Sequence, residues 1–233
     1  AAQLARAGKE VVVVASGAVG IGKQVLGQRT PDNAEDDDVT LGHKSYKSAC
    51  AAAGQLGLTA LYSSMFEQYG VTSSQLLLTS SDFSSPEKCS NVKEIMEQLL
   101  RHGIVPLLNE NDALTAIHKE PASKTFSDND SLAALVAGYL KAELLILLTD
   151  VDGLYDRPPS HPGARIISTF HAKAGFEIGE KSSQGRGGMA AKIEAAVKAT
   201  ETGVQAVVIA SGRNSETISK ILNGENCGTL FLG

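Results

Sequence analysis

The sequence predicts an α/β fold: a three-layer αβα sandwich in which a mainly parallel central sheet lies between two layers of helices. Three observations predict it. Five short runs, 11–15, 74–79, 104–109, 144–149 and 205–210, are rich in Val, Leu, Ile and Ala and apolar on both faces, as strands covered from both sides are. Segments of helical periodicity lie between or beside them, which is the alternation of a parallel sheet with crossover helices. Polar residues fall directly after four of the runs, and in open parallel sheets ligands bind beyond the carboxyl ends of the strands.

Taken in order, the chain opens with Ala1-Ala-Gln-Leu-Ala-Arg-Ala7, the middle or end of an amphipathic helix with no start signal before it. There is no initiator methionine, so residues upstream of Ala1 are expected. The first strand, 11–15, ends in Ser16-Gly17-Ala18 and a helix over 17–27. Residues 28–44, with Glu35-Asp-Asp-Asp38, lack periodicity and read as a solvated loop. A calcium site is the sharper and much weaker reading, because no ligand-spaced loop surrounds the carboxylates. A long helix follows over 45–69; Leu56, Leu58, Leu61, Met65 and Phe66 give it a face for core or interface, core being favoured.

Strand 74–79, helix 87–102 and strand 104–109 come next, and Asn109-Glu-Asn-Asp112 closes the last of these. Residues 115–127 form a polar excursion of the length and placement of a lid. Helix 129–141 is opened by Ser127-Asp-Asn-Asp130; a cap needs one of these, which leaves Asn129 and Asp130 available for a ligand or for orienting lysines. Strand 144–149 ends in Thr149-Asp150. Short strands over 166–169 and 175–178 suggest a hairpin. Helix 188–202 precedes strand 205–210, which ends in Ser211-Gly212, and helix 215–223 follows.

Each polar terminus has a bland reading. Ser16 can cap its helix, Asn109–Asp112 can be a tight turn, and Asp150 can be merely solvated. Their joint placement on one edge is what favours a site. Gly185-Arg-Gly-Gly-Met-Ala-Ala-Lys192 is the most informative stretch. Glycines let successive N–H groups converge on an anion, the following helix N-terminus adds donors and partial positive charge, and Lys192 in the first turn adds an ammonium. A glycine loop that only turns the chain is the competing reading.

Composition bounds the rest. The chain has 233 residues, 42% hydrophobic and 20% charged, with a net charge of −5. These are the values of a globular protein, and no basic surface argues for nucleic acid. No apolar run approaches the roughly 20 residues of a membrane helix. Cys50, Cys89 and Cys227 fit neither a disulfide framework nor a zinc site, and point to a reducing, cytoplasmic setting. The five histidines are scattered. A Gly-x-Ser-x-Gly elbow, a His-Glu-x-x-His pair and a Walker A loop are all absent, so no resident metal site is predicted. Residues 1–233 read as one domain.

Six motifs, in order, carry a resemblance. They are Val-Val-Ala-Ser-Gly-Ala-Val-Gly (13–20), Ala-Cys-Ala-Ala-Ala-Gly-Gln (49–55), Asn-Glu-Asn-Asp (109–112), Asp-Asn-Asp-Ser-Leu-Ala-Ala (128–134), Leu-Leu-Thr-Asp-Val-Asp-Gly-Leu-Tyr (147–155) and Gly-Arg-Gly-Gly-Met-x-x-Lys (185–192). Through them the chain resembles the amino acid kinase superfamily, and within it the glutamate 5-kinases and the kinase domains of bifunctional pyrroline-5-carboxylate synthases. The resemblance runs almost end to end and implies the amino acid kinase fold. It implies transfer of the γ-phosphoryl group of ATP, with Mg²⁺, to the γ-carboxylate of L-glutamate, the first step toward proline. By resemblance Ser16, Asp112 and Asn129 bind glutamate, with Asn109 nearby. Thr149, Asp150, Arg186, Gly187, Gly188, Met189 and Lys192 bind ATP; Lys192 is catalytic and Asp130 organises the catalytic lysines.

The resemblance also implies a homo-oligomer, feedback inhibition by proline, and a cytoplasmic location, or a mitochondrial one should a targeting segment precede Ala1. The family begins with a strand carrying Lys-x-Gly-[Ser/Thr], which does not precede Ala1; the expected domain is therefore N-terminally incomplete, its first strand missing. Other small-acid kinases of the superfamily, and a non-catalytic glutamate or proline sensor, are the alternative readings.

Overall fold

The computed structural model describes residues 1–27, 39–115, 125–171 and 188–233. The loop with Asp36–Asp38, the lid segment 116–124 and the strand expected at 175–178 lie outside them. The chain divides into two compact units, Ala1–Asn129 and Asp130–Gly233.

The first unit holds α1 (Ala2–Arg6), β1 (Val13–Val14), α2 (Ala18–Val25), α3 (Val39–Glu67), β2 (Ser73–Leu78), a 3₁₀ turn (Ser80–Phe83), α4 (Pro86–Arg101), β3 (Val105–Glu110) and α5 (Asp112–Thr115). Its three strands are all parallel, in the order β1-β3-β2. β3 is the central strand and is buried from Val105 to Asn109, which explains its unbroken apolar run. α3 packs on β2, and α4 on β3. Phe66, Val71 and Val105 form a buried core cluster, with Val11, Val13 and Tyr62 packed against it.

Local chemistry sets the boundaries. Ser85 caps α4, its Oγ accepting the Lys88 N–H at 3.3 Å, and Pro86 takes the first position, where a missing N–H costs nothing. Thr79 and Asp82 exchange reciprocal bonds as a capping box at the 3₁₀ turn. Gly17 starts α2 at φ 127, a region closed to ordinary side chains, and so turns the chain between Ser16 and the helix.

α2 and α3 touch backbone to backbone. A Cβ on Gly54 would lie 1.9 Å from the Ala18 carbonyl oxygen, and one on Gly22 would lie 1.7 Å from that of Cys50. Glycines at these two positions are therefore a condition of the helix pairing.

The second unit holds α6 (Asn129–Leu140, Asn129 itself belonging to the first unit), β4 (Leu144–Thr149), β5 (Thr169–His171), α7 (Met189–Glu201), β6 (Ala206–Ser211), α8 (Thr217–Leu222) and β7 (Thr229–Leu232). The strand order is β4-β6-β7-β5. β4 pairs with β6, and β5 with β7, in parallel; β6 and β7 are antiparallel. α7 packs on β4, β6 and β7 with Ile193, Ala195, Ala196 and Ala199 buried. Phe170 and Phe231 stack with centroids 4.9 Å apart.

An arm over 154–167 is fastened to this sheet by one hydroxyl. Thr229 Oγ1 donates to the Ile167 carbonyl at 2.6 Å and accepts the Leu154 N–H at 2.8 Å, and Thr229 is fully buried. Within the arm, Tyr155 and Ile166 form an antiparallel bridge. Asp156 accepts the Arg165 N–H at 3.0 Å; that bond and the Arg157 guanidinium hold its carboxyl below the usual carboxylate range.

The chain is thus mixed α/β, built from parallel strand pairs and covering helices. The five apolar runs read as strands and the seven expected helices, the opening one included, all form. The differences are at edges: α3 begins at Val39 rather than 45, and β3 runs one residue beyond 109, to Glu110. The short strand expected at 166–169 is formed at Thr169–His171, and the antiparallel β7 was not expected.

Candidate active site

Two groups of polar side chains sit at strand ends, one in each unit. In the first unit, Asn109 is buried near the end of β3, and Ser16 follows β1, whose extension is marked by the Ala15 N–H bonding the Leu108 carbonyl at 2.9 Å. Asn129 joins them. Its Nδ2 donates to Ser16 Oγ at 2.7 Å, to Asn109 Oδ1 at 2.9 Å and, longer, to the Ala15 carbonyl at 3.3 Å. Its Oδ1 accepts the Glu110 N–H at 3.1 Å.

The direction of every bond in this array follows from two backbone groups. A backbone N–H can only donate and a carbonyl can only accept, so Glu110 and Ala15 fix which end of the Asn129 amide is which. Asn109 must then turn Oδ1 toward Asn129 and Nδ2 toward Gln55, whose Oε1 accepts at 2.9 Å. Gln55 Nε2 in turn donates to Thr59 Oγ1 at 3.3 Å, and Thr59 donates to Gln75 Oε1 at 3.0 Å. Because Ser16 Oγ accepts from Asn129, its own proton is left to donate outward, and Ser16 is exposed. The array presents the Ser16 hydroxyl as a neutral donor and adds no negative charge. Asp112, three residues beyond Asn109, starts α5 and lies 3.7 Å from Lys47 Nζ.

In the second unit, Asp130 on α6 grips Lys192 on α7. The ammonium is 2.8 Å from Oδ1 and 3.0 Å from Oδ2, with both side chains about four-fifths buried. Lys192 falls in the first turn of α7, whose N-cap Gly188 supplies no side-chain bond. The helix N-terminal donors are therefore not consumed by a capping side chain, which fits an anion there. Thr149 ends β4 directly beside Ser211 of β6, and Gly212 N–H bonds the Thr149 carbonyl at 2.7 Å. Thr149 Oγ1 donates to Asp150 at 3.3 Å, and the exposed Asp150 lies 4.0 Å from Arg213.

Of the residues singled out from sequence, Ser16, Asn109 and Asn129 meet directly, and Asp130 and Lys192 meet directly. Thr149 and Asp150 stand on the carboxyl edge of the second sheet. Gly188 and Met189 open α7, whereas Arg186 and Gly187 lie outside the described residues. Three side chains carry no role in the sequence reading: Gln55, Lys47 and Arg213. Gln55 closes the 49–55 motif, and a lone amide within the uncharged helical run 48–66 was its signal. Among the described residues no three His, Cys, Asp or Glu side chains gather as a metal cage would require. No described helix is long and apolar enough to cross a membrane.

Residues 1–211 match the amino acid kinase family. The chain belongs to that family. It is 49% identical over 230 residues to delta-1-pyrroline-5-carboxylate synthase 1 of Oryza sativa subsp. japonica, with 96% of this chain and 32% of that protein aligned. It is 43% identical over 241 residues to glutamate 5-kinase of Clostridium acetobutylicum, covering 99% of this chain and 83% of the relative. The chain spans about a third of the length of the synthases it matches. Among solved structures, carbamate kinase from Giardia lamblia bound to AMP-PNP superimposes with a TM-score of 0.63 at 16% identity, covering 99% of this chain and 85% of that one. That likeness concerns the fold, and the amino acid kinase fold is the architecture of this chain.

Proposed function

We propose that the chain is one amino acid kinase domain, residues 1–233, that phosphorylates the γ-carboxylate of L-glutamate with ATP, giving L-glutamyl 5-phosphate for proline synthesis. The oriented Ser16–Asn129–Asn109 array is the observation that carries this reading. An acceptor carboxylate that must approach a triphosphate needs a donor that adds no negative charge, and the array offers one in the Ser16 hydroxyl. The names of the relatives, glutamate 5-kinase and pyrroline-5-carboxylate synthase, supply the substrate. In this reading Ser16, Asn129 and Asp112 hold glutamate, Asp112 facing the α-ammonium. Thr149, Asp150, Arg186, Gly187, Gly188, Met189 and Lys192 hold the nucleotide.

The chemistry asks for positioning and charge neutralisation. A γ-carboxylate oxygen forms a bond to the γ-phosphorus, and the bond from that phosphorus to the β,γ-bridging oxygen breaks, releasing ADP. The nucleophile is already ionised, so no general base is required. Lys192 places its ammonium against charge developing on the transferring group. Asp130 keeps that ammonium in place through two of its protons and leaves the third for a phosphoryl oxygen. The N-terminal N–H groups of α7 add fixed partial positive charge. Mg²⁺ bound to the nucleotide phosphates would neutralise further charge there. Proline carries the same α-ammonium and α-carboxylate and would compete at the glutamate end.

The test is hydroxylamine trapping of the acyl phosphate with ATP, Mg²⁺ and L-glutamate. Glutamate-dependent hydroxamate is expected, and Lys192→Met should lower it by at least 100-fold, as loss of one charge-stabilising contact of ~3 kcal/mol does. Hydroxamate formed faster from N-acetylglutamate or aspartate would overturn the substrate assignment.

A further inference from the structure

An α-amino acid presents an ammonium and a carboxylate on one carbon, and the residues so far assigned answer only the first. Lys47 answers the second. Its Nζ lies 3.7 Å from Asp112 Oδ1, a spacing at which the two side chains form a short plus–minus pair. Of the two ion pairs described within the first unit, Lys93–Glu97 joins successive turns of one helix, whereas Lys47–Asp112 joins α3 to α5. The Lys47 side chain is 56% exposed, against 23% for Asp112. A pair this open contributes little to stability, so it is poorly explained as a structural fastening and opens at little cost.

The same helix also fixes the other end of the array. Gln55, which holds Asn109, stands eight residues beyond Lys47 on α3 and about 12 Å along it. α3 thereby presents a cation near Asp112 and an amide beneath Asn109.

We propose that Lys47 is a specificity-determining residue that binds the α-carboxylate of the amino acid substrate while Asp112 binds its α-ammonium. This rests on the glutamate kinase reading above. On binding, the Lys47–Asp112 contact is replaced by two charge-assisted contacts in alternating order, Lys47 to carboxylate and ammonium to Asp112. One charge-assisted contact is thereby exchanged for two of the same kind. The opposite function, a tethered ammonium that merely occupies Asp112 until substrate displaces it, predicts the opposite sign.

The experiment is calorimetric binding to the wild-type chain, Lys47→Met and Lys47→Arg, with L-glutamate and with 4-aminobutanoate, which is glutamate without its α-carboxylate. Lys47→Met should weaken L-glutamate at least tenfold and Lys47→Arg by much less, while 4-aminobutanoate binds wild type and Lys47→Met equally. The wild-type preference for glutamate over 4-aminobutanoate should collapse in Lys47→Met. Unchanged or tighter glutamate binding by Lys47→Met overturns the assignment of Lys47 alone. Absence of glutamate binding and of glutamate hydroxamate in the wild type overturns the kinase reading and this proposal with it.

Discussion

Gly54→Ala tests whether helix packing and site geometry are one property in this chain. The added Cβ would stand 1.9 Å from the Ala18 carbonyl oxygen, 2.4 Å from the Gly22 nitrogen and 2.9 Å from the Ala18 carbonyl carbon. All three are backbone atoms and cannot rotate away. Raising the first contact from 1.9 to the 3.0 Å floor of real Cβ contacts requires α2 and α3 to part by about 1.1 Å. Overpacking of this kind costs about 1–3 kcal/mol, and the rigid neighbours place this case at the upper end. Alanine recovers about 1 kcal/mol of helix propensity, leaving a net loss near 2 kcal/mol. The displacement falls on the site as well. Gln55 is the next residue, and Ser16 lies two residues before α2, so the 2.9 Å Gln55–Asn109 and 2.7 Å Asn129–Ser16 bonds would both be stretched. A misplacement of about 1 Å can cost 100-fold in turnover. Urea denaturation and glutamate-dependent hydroxamate formation, measured on the same preparation, read the two effects. Wild-type midpoint together with turnover within twofold of wild type would refute the reasoning.

Three further outcomes follow from individual contacts. Asp130→Asn removes the charge that holds Lys192 with two oxygens at 2.8 and 3.0 Å, and kcat should fall about 10- to 100-fold with the fold intact; single-turnover rates check this. Gln55→Leu leaves buried Asn109 Nδ2 without its acceptor, so stability should drop by about 1–3 kcal/mol and glutamate KM rise, both absent if the amide order has no role. Thr229→Val strips two bonds from the buried fastening of the 154–167 arm, leaving the Leu154 N–H and Ile167 carbonyl wanting partners; a loss of about 2–4 kcal/mol should appear in thermal unfolding, and faster proteolysis should map to the arm.

What the sequence revealed and what it hid divide along a physical line. Strands such as Val105–Glu110 and Ala206–Ser211 are buried on both faces, so their apolar runs name them directly, and the polar residue closing each run marks the carboxyl edge. β7 escaped because Thr229–Leu232 is four residues long and alternates, and its antiparallel placement beside β6 depends on partners rather than on its own pattern. The site shows the same division. Ser16, Asn109, Asn129, Asp130 and Lys192 stand at the ends of regular elements, where a polar residue is conspicuous against an apolar background. Gln55 and Lys47 sit inside a 29-residue helix, and nothing in a helical pattern says which polar side chain faces a strand end. Their significance comes from long-range pairing, 54 residues from Gln55 to Asn109 and across two helices from Lys47 to Asp112. The array also had to be ordered before it could be read. An asparagine alone has no direction, and only the Glu110 N–H and the Ala15 carbonyl decide that Ser16 is left with a proton to give. Backbone geometry, which the sequence specifies only through the fold, therefore sets the polarity of the side chains proposed to meet an anionic acceptor.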